Sequence, residues 1–243
     1  MISGRGFSDL CTWNYEPRYP KRPFSHIGSR TGDWVFVSGY HLDSFLSIRF
    51  ITPKRFFIVI HNSDVPFDND RLARTLPRAI HIYAVNTTVT HPQLTTIPLG
   101  FPDSGLQHIH SIPPQPKTIE IYANFSMTNY GKRKECLDAF EGDPRVVRKD
   151  PHGRTQIEYY TDLRRSRFAL CPEGVGVDTH RIYEALYFGA IPVVLRNSLS
   201  SFYEKLPVCI VDSWTDPFYV PTGIMSFDPK HYLTAFQAYE TDP

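Results

Sequence analysis

Short apolar runs and stretches with helical spacing take turns along the second half of this chain. The pattern predicts a strand over Thr118–Asn124, a helix over Tyr130–Phe140, a short strand over Arg145–Arg148 and a helix over Gln156–Arg165. It continues with a buried strand over Phe168–Cys171, a helix over Asp178–Phe188, a strand over Ile191–Leu195, a helix over Leu199–Lys205 and a last strand over Pro207–Val211. Strands that alternate with helices are joined by right-handed crossovers, so a parallel, doubly wound sheet is expected.

The first half follows a similar but less regular pattern. Trp34–Ser38, Phe56–Ile60, Ala79–Val85 and Thr95–Leu99 read as strands, with helical stretches near Leu42–Arg49 and Asn69–Thr75. Ile112-Pro113-Pro114-Gln115-Pro116 is stiff and poor in N–H donors, which suits a linker and neither a helix nor a central strand. The expected organisation is therefore two α/β lobes with parallel sheets, residues 1–112 and 117–243, with a final helix over Pro229–Glu240 that can pack on either. The first thirty or so residues, rich in Pro, Gly and Arg, yield no assignment.

Composition narrows what such lobes do. The 243 residues are 41% hydrophobic, 21% charged and 14% aromatic, enough apolar material for two small cores. A formal net charge of +1 gives no global field to hold nucleic acid or an anionic membrane, so any anion must be held locally. Cys11, Cys136, Cys171 and Cys209 are widely spaced, unlike a zinc site or disulfide framework, and read as free thiols in a reducing compartment. No stretch approaches the ~18 to 20 apolar residues of a membrane span. The start, Met1 to Trp13, lacks the apolar region of a signal peptide, so a soluble, cytoplasmic chain is expected.

Phe168 to Leu195 carries the clearest chemistry, because it sets a Gly-containing loop between a buried strand and a helix start. Gly174 and Gly176 allow close backbone approach to a ligand and let N–H groups point at it. Asp178 reads as the helix N-cap, with Thr179, His180 and Arg181 in the first turn. A helix N-terminus favours negative charge, and the fork of Arg181 suits phosphate oxygens. Glu184 shares a helical face with His180 and Arg181, where its carboxylate can accept the hydroxyls of a ribose. The alternative is purely structural, with Asp178 as a cap and Arg181 and Glu184 as an ordinary ion pair.

The run from Ser166 through Trp214, with CPEGVGVDTHRIYEALYFGAIPVVL followed by SFYEKLPVCIVDSW, resembles the C-terminal domain of exostosin-like glycosyltransferases, including soluble versions encoded by large algal viruses. The resemblance extends more weakly through Tyr122 to Ser126 and Asn129 to Arg133, and into Ile60 to Asp64 and Ile97 to Gly100. It implies a GT-B fold with a cleft between two Rossmann-like lobes, and inverting transfer from a nucleotide-sugar, often a UDP-sugar, to a glycan acceptor without an obligatory metal. Xylose is the first guess, because some such relatives use it. By the same resemblance Glu184 holds the ribose, and Arg181 with Pro172 and the Gly174-Val175-Gly176 loop holds the pyrophosphate. Asp178 and His180 complete the pocket, closed by Asn124, Ser126 and Arg133. Glu173 stands where many relatives carry Arg, and Val175 where many carry Asn. Animal and plant relatives are usually Golgi enzymes with an N-terminal anchor, which makes a trimmed Golgi-lumen domain the alternative to a cytoplasmic enzyme.

Inverting transfer also needs a base for the acceptor hydroxyl. In a GT-B arrangement it comes from the opposite lobe. His61-Asn62-Ser63-Asp64 follows the strand over Phe56–Ile60, which makes Asp64 the first choice, with His41 and Asp43 after the Trp34–Ser38 strand as rivals. A turn role for Asp64 before Pro66 stays open. Asp68-Asn69-Asp70 has the spacing of a metal-binding carboxylate pair, but reads better as a helix cap. His108 and His110 have no third ligand close in sequence. Trp13, Trp34 and Tyr40 are candidates to stack on sugar rings, and core packing is the competing role. Two function classes remain: a transferase, or a catalytically silent nucleotide-sugar or glycan-binding module. The sequence argues against a third class, a dinucleotide or phosphosugar site, since neither Gly-x-Gly-x-x-Gly after the first strand of either lobe nor the P-loop Lys pattern occurs.

Overall fold

A computed structural model describes residues 1–48, 54–127 and 130–233. The chain divides into two compact units, one of Met1–Leu99 together with the segment from Ser226 onward, the other of Gly100–Met225.

The first unit contains α1 (Gly4–Leu10), β1 (Trp13–Tyr15), β2 (Trp34–Ser38), α2 (Leu42–Leu46), β3 (Phe56–His61), α3 (Asn69–Thr75), β4 (Ala79–Ala84) and β5 (Leu94–Thr96). The strands form one parallel sheet in the order β1-β2-β3-β4-β5. Both faces are covered, so β2 and β3 are buried at every position. On one face Val35, Val37, Ile58, Ile60 and Ile82 pack with Leu42 and Phe45 of α2 and Leu72 of α3. On the other, Trp34 stacks on Phe57 at 4.7 Å and on Tyr83 at 5.4 Å, and Phe7 of α1 lies 5.2 Å from His61. Trp34 is thus a core residue at 7% exposure, which removes it as a sugar-stacking candidate.

Several expectations shift here. α1 and β1 lie in the stretch that gave no assignment. The strand expected over Thr95–Leu99 begins at Leu94 and ends at Thr96, since Pro98 has no N–H for a ladder. The helix expected over Leu42–Arg49 ends at Leu46, with Ser47 as its C-cap, and Arg49 lies outside the described residues, as does most of the helix expected over Pro229–Glu240, whose first turn is a 3-10 turn, Pro229–Tyr232.

The second unit contains α4 (Tyr130–Asp138), α5 (Gln156–Arg165), α6 (His180–Tyr187) and α7 (Ser200–Tyr203) among β6 (Ile119–Ala123), β7 (Val146–Arg148), β8 (Ser166–Leu170), β9 (Ile191–Leu195) and β10 (Cys209–Val211). The sheet is parallel, in the order β10-β9-β8-β6-β7. The chain moves one way from β6 to β7 and the other way from β6 to β8, β9 and β10. The β6/β8 junction is therefore a topological switch point, where connections leave toward opposite faces and open a crevice at the carboxyl ends of the strands. The two sheets make this an α/β chain with two Rossmann-like parallel lobes of the GT-B kind.

The N-cap of α6 falls one residue later than expected, and the helix itself begins at His180. Thr179 occupies the N-cap position without a side-chain cap bond. The Asp178 carboxylate instead accepts the hydroxyls of Tyr183 at 2.6 Å and Tyr203 at 2.9 Å. Two buried phenols satisfy this 2% exposed carboxylate better than backbone N–H groups would, and they draw it under the helix rather than over its end.

Candidate functional site

Three segments meet at the carboxyl end of the β6/β8 junction: Asn124 to Ser126 after β6, Pro172 to Val177 after β8, and the first turn of α6. Two arginines tie them together. Arg181 donates from Nε to the Asn124 carbonyl at 2.9 Å, and its guanidinium lies 5.3 Å over the Phe125 ring. Arg133, on α4 and 8% exposed, donates from Nη1 to the Ser126 carbonyl at 2.7 Å and hydroxyl at 3.1 Å, and from Nε to the Glu173 carbonyl at 3.2 Å.

Every one of those acceptors is neutral. Burial first, and then the nearby charge of Arg181, hold Arg133 below the usual arginine range, as expected for two cations placed together. Buried donors lack partners in the same region: Arg181 Nη1, Asn124 Nδ2 and the Thr179 hydroxyl form no hydrogen bond. Two guanidiniums whose hydrogen-bond acceptors are all neutral, with orphaned donors beside them, suit an anion. The Gly174 N–H closes a bond to the Gly176 carbonyl at 3.1 Å, so this amide shapes the loop rather than pointing outward. A β-carbon on Gly174 would stand 3.0 Å from Arg133 Nη2, so glycine permits the close approach. Val175, 69% exposed, forms the tip, while Pro172 and Gly176 are buried.

Glu184 sits one turn into α6 at 8% exposure. It forms no pair with Arg181; its oxygens accept the hydroxyls of Tyr159 at 2.9 Å and Tyr160 at 3.2 Å. Burial raises its pKa above the ordinary carboxylate value, against lowering by His180, the two phenols and Arg181. Two of about four lone-pair positions are used, which leaves capacity for a diol. His180 is exposed, with Nδ1 2.6 Å from the Gly100 carbonyl. Glu173, paired with Lys132 and with Asn197 Nδ2 at 3.0 Å, lines a small cavity of about 100 Å³ with Pro172 and Val177. Burial pushes the Cys171 thiol at the end of β8 up to about 12, which leaves it inert. All four cysteines are free and buried.

The sequence did not point to Tyr159, Tyr160 or Tyr203. The Tyr159-Tyr160 pair on a helix with a capping box was the one visible cue, and its partner lies 24 to 25 residues away.

The base candidates lie in the first unit. Asp64 follows β3 and accepts the Tyr40 hydroxyl at 3.4 Å, while the adjacent turn is made by the Ser63 hydroxyl, which accepts the Val65 N–H at 3.0 Å. Asp43 pairs with Arg74 at 2.9 Å on an exposed helix face. His41 opens α2 with no side-chain cap bond. Asp68 caps α3, accepting the Arg71 N–H at 3.0 Å, and Asp70 faces Arg74 at 3.5 Å. Among the described residues no group of three or more His, Cys, Asp or Glu side chains comes together as a metal site, and no helix is long and apolar enough to cross a membrane.

The Exostosin GT47 domain matches residues 60–221. A probable glucuronosyltransferase of Oryza sativa subsp. japonica is 26% identical over 221 residues, covering 82% of this chain and 51% of that protein. Another from the same plant is 32% identical over 207 residues, covering 79% and 47%. A probable beta-1,4-xylosyltransferase of Arabidopsis thaliana is 31% identical over 125 residues, covering 46% and 29%. The chain thus spans about half the length of these two rice relatives. With the GT47 match running from β3 through β10 and across the two-arginine crevice, this chain belongs to the exostosin GT47 family.

Proposed function

We propose that the protein is an inverting glycosyltransferase that moves a sugar from a UDP-sugar to a hydroxyl of a glycan. The observation that carries this reading is the donor excess at the β6/β8 switch point, where Arg133 and Arg181 have only neutral partners and the Arg181 Nη1 is orphaned. A diphosphate supplies the missing charge there, and the leaving diphosphate of the transfer step is stabilised by the same two guanidiniums. Glu184, held by Tyr159 and Tyr160, takes the ribose hydroxyls, with Asn124, Ser126 and His180 around the nucleotide and Asp178 bracing the loop from beneath through Tyr183 and Tyr203.

Asp64 is the proposed base. The pairing of Asp43 with Arg74 favours Asp64 and His41 over it. The names of the relatives support xylose or glucuronic acid as the sugar, and the arginine pair is the charge-neutralising device, with no metal required. Calorimetric titration with UDP and GDP, with and without EDTA, tests the reading on the native chain and on Glu184→Ala. UDP should bind equally with and without EDTA, more tightly than GDP, and at least tenfold more weakly to the variant. If neither nucleotide binds the native chain, the donor site does not exist.

A further inference from the structure

The first unit has its own hollow at the carboxyl edge of its sheet. It lies where β1 ends at Tyr15 and where the turn after β2 enters α2, and it measures about 350 Å³. This is at the lower end of the ~300 to 1,000 Å³ of small-ligand pockets. Its lining includes Tyr15, Glu16, Tyr19, Phe24, His41 and Ser44.

Two kinds of surface face each other in this hollow. Tyr15 and Phe24 stand edge to face at 6.2 Å, and both are anchored on the buried Phe45, at 5.4 and 5.2 Å. Rings held this way offer rigid apolar faces at little entropic cost, which suits the C–H face of a sugar ring. Glu16 provides the polar counterpart. It is only 5% exposed, and its carboxylate accepts the Arg18 N–H at 3.1 Å, the Arg18 guanidinium at 2.9 Å and the Asn62 amide at 3.5 Å. Three of about four lone-pair positions are thereby used, and one remains for a hydroxyl. Asn62 is positioned by its own turn. It is a non-glycine residue at φ +54, with its amide also donating to the Tyr19 hydroxyl at 3.0 Å.

We propose that this hollow holds a neutral pyranose ring of the acceptor glycan, stacked on Tyr15 and Phe24 and hydrogen-bonded to Glu16. The inference rests on the transferase reading for the word acceptor, but the hollow and its ligand class stand on their own geometry. The Glu16 carboxylate is already paired with Arg18 at 2.9 Å, so the hollow offers no spare charge to hold an acidic ring, and a neutral ring is the class it fits.

The test is saturation-transfer NMR titration of the full chain with three neutral hexasaccharides, 1,4-β-xylohexaose, cellohexaose and mannohexaose, alongside UDP. The variants are Glu16→Gln and Ser44→Trp. Ser44 is exposed on α2, so tryptophan there plugs the hollow without disturbing the core. At least one neutral hexasaccharide should bind the native chain. Its Kd should rise at least tenfold in both variants while the UDP Kd stays within twofold. If Glu16→Gln does not fold, Ser44→Trp alone decides. No hexasaccharide binding to the native chain, or equal binding to native and Ser44→Trp, overturns the subsite whether or not UDP binds. Hexasaccharide binding that the variants lose, with no UDP binding at all, keeps the subsite and removes the transferase reading instead.

Discussion

Glu184 is a buried carboxylate whose pKa is raised chiefly by burial. A group with a raised folded-state pKa stabilises the fold fully only below its unfolded value, and that contribution is lost as pH rises through the folded pKa. At neutral pH, then, an ionised Glu184 works against folding, and selection for stability alone does not explain it. Glu184→Gln keeps the shape and can still bond both tyrosines. The variant should melt no lower than the native chain at pH 7, and its relative advantage should shrink as pH falls toward 4. Its UDP affinity should drop about 10- to 100-fold, the ~1.5 to 3 kcal/mol of hydrogen bonds to a charged group. Thermal melts from pH 4 to 8 with UDP titration check both halves. A variant that melts lower and binds UDP normally would make Glu184 structural. A second expectation at this scale concerns Asp64, whose carboxylate accepts the Tyr40 hydroxyl at 3.4 Å and whose N–H donates to the same hydroxyl at 3.3 Å. Asp64→Asn should abolish transfer, measured as UDP release with acceptor, and leave UDP affinity within twofold. Retained activity moves the base to His41.

The residues proposed for the donor pocket were nominated by spacing, which brings Arg181 and Glu184 to one face of a helix. Their partners were not. Glu184 is held by phenols on α5 and Asp178 by Tyr203 on α7, contacts made across 24 to 25 residues of sequence that no local pattern reveals. Glu16 escaped notice for a related reason, since its role depends on Asn62 at the end of a different strand.

At the scale of elements, apolar runs found β2 and β9 with their observed bounds, and helical spacing found α3 and α5 likewise, because burial on both faces or a clear cap marks them. The three-residue β1, beside prolines, carries too little pattern to be read. The 3-10 segment Asp103–Ser111 was missed as well, and it bears on the site through Gly105. A β-carbon there would stand 2.1 Å from the Tyr160 hydroxyl and 2.8 Å from Phe101, and that hydroxyl is the one donated to Glu184. Gly105→Ala should therefore cost about 1 to 3 kcal/mol of stability, as overpacking does. It should also weaken UDP binding, although residue 105 is not among the groups proposed to touch nucleotide. Urea unfolding and a UDP titration on the same variant measure the two effects. Loss of stability with native UDP affinity would show that Tyr160 does not position Glu184.

At the scale of the molecule, the chain leaves the first unit at Leu99 and returns to it at Ser226. The return is anchored by the 3-10 turn Pro229–Tyr232 against α1, where Pro229 approaches Gly6 and Leu233 is fully buried. The proposed nucleotide groups, by contrast, all lie in Gly100–Met225. A ligand stabilises only what it binds, by about 2.7 kcal/mol when present at 100 times its Kd. For a unit of this size that is a rise of roughly 10 °C in Tm. Differential scanning calorimetry should therefore resolve a transition that UDP raises and another that it leaves in place. Truncation after Met225 should lower the second transition while preserving the UDP response of the first. Equal shifts of both transitions with UDP would mean that the units unfold as one, and a truncated chain that no longer responds to UDP would mean that nucleotide binding draws on the first unit as well.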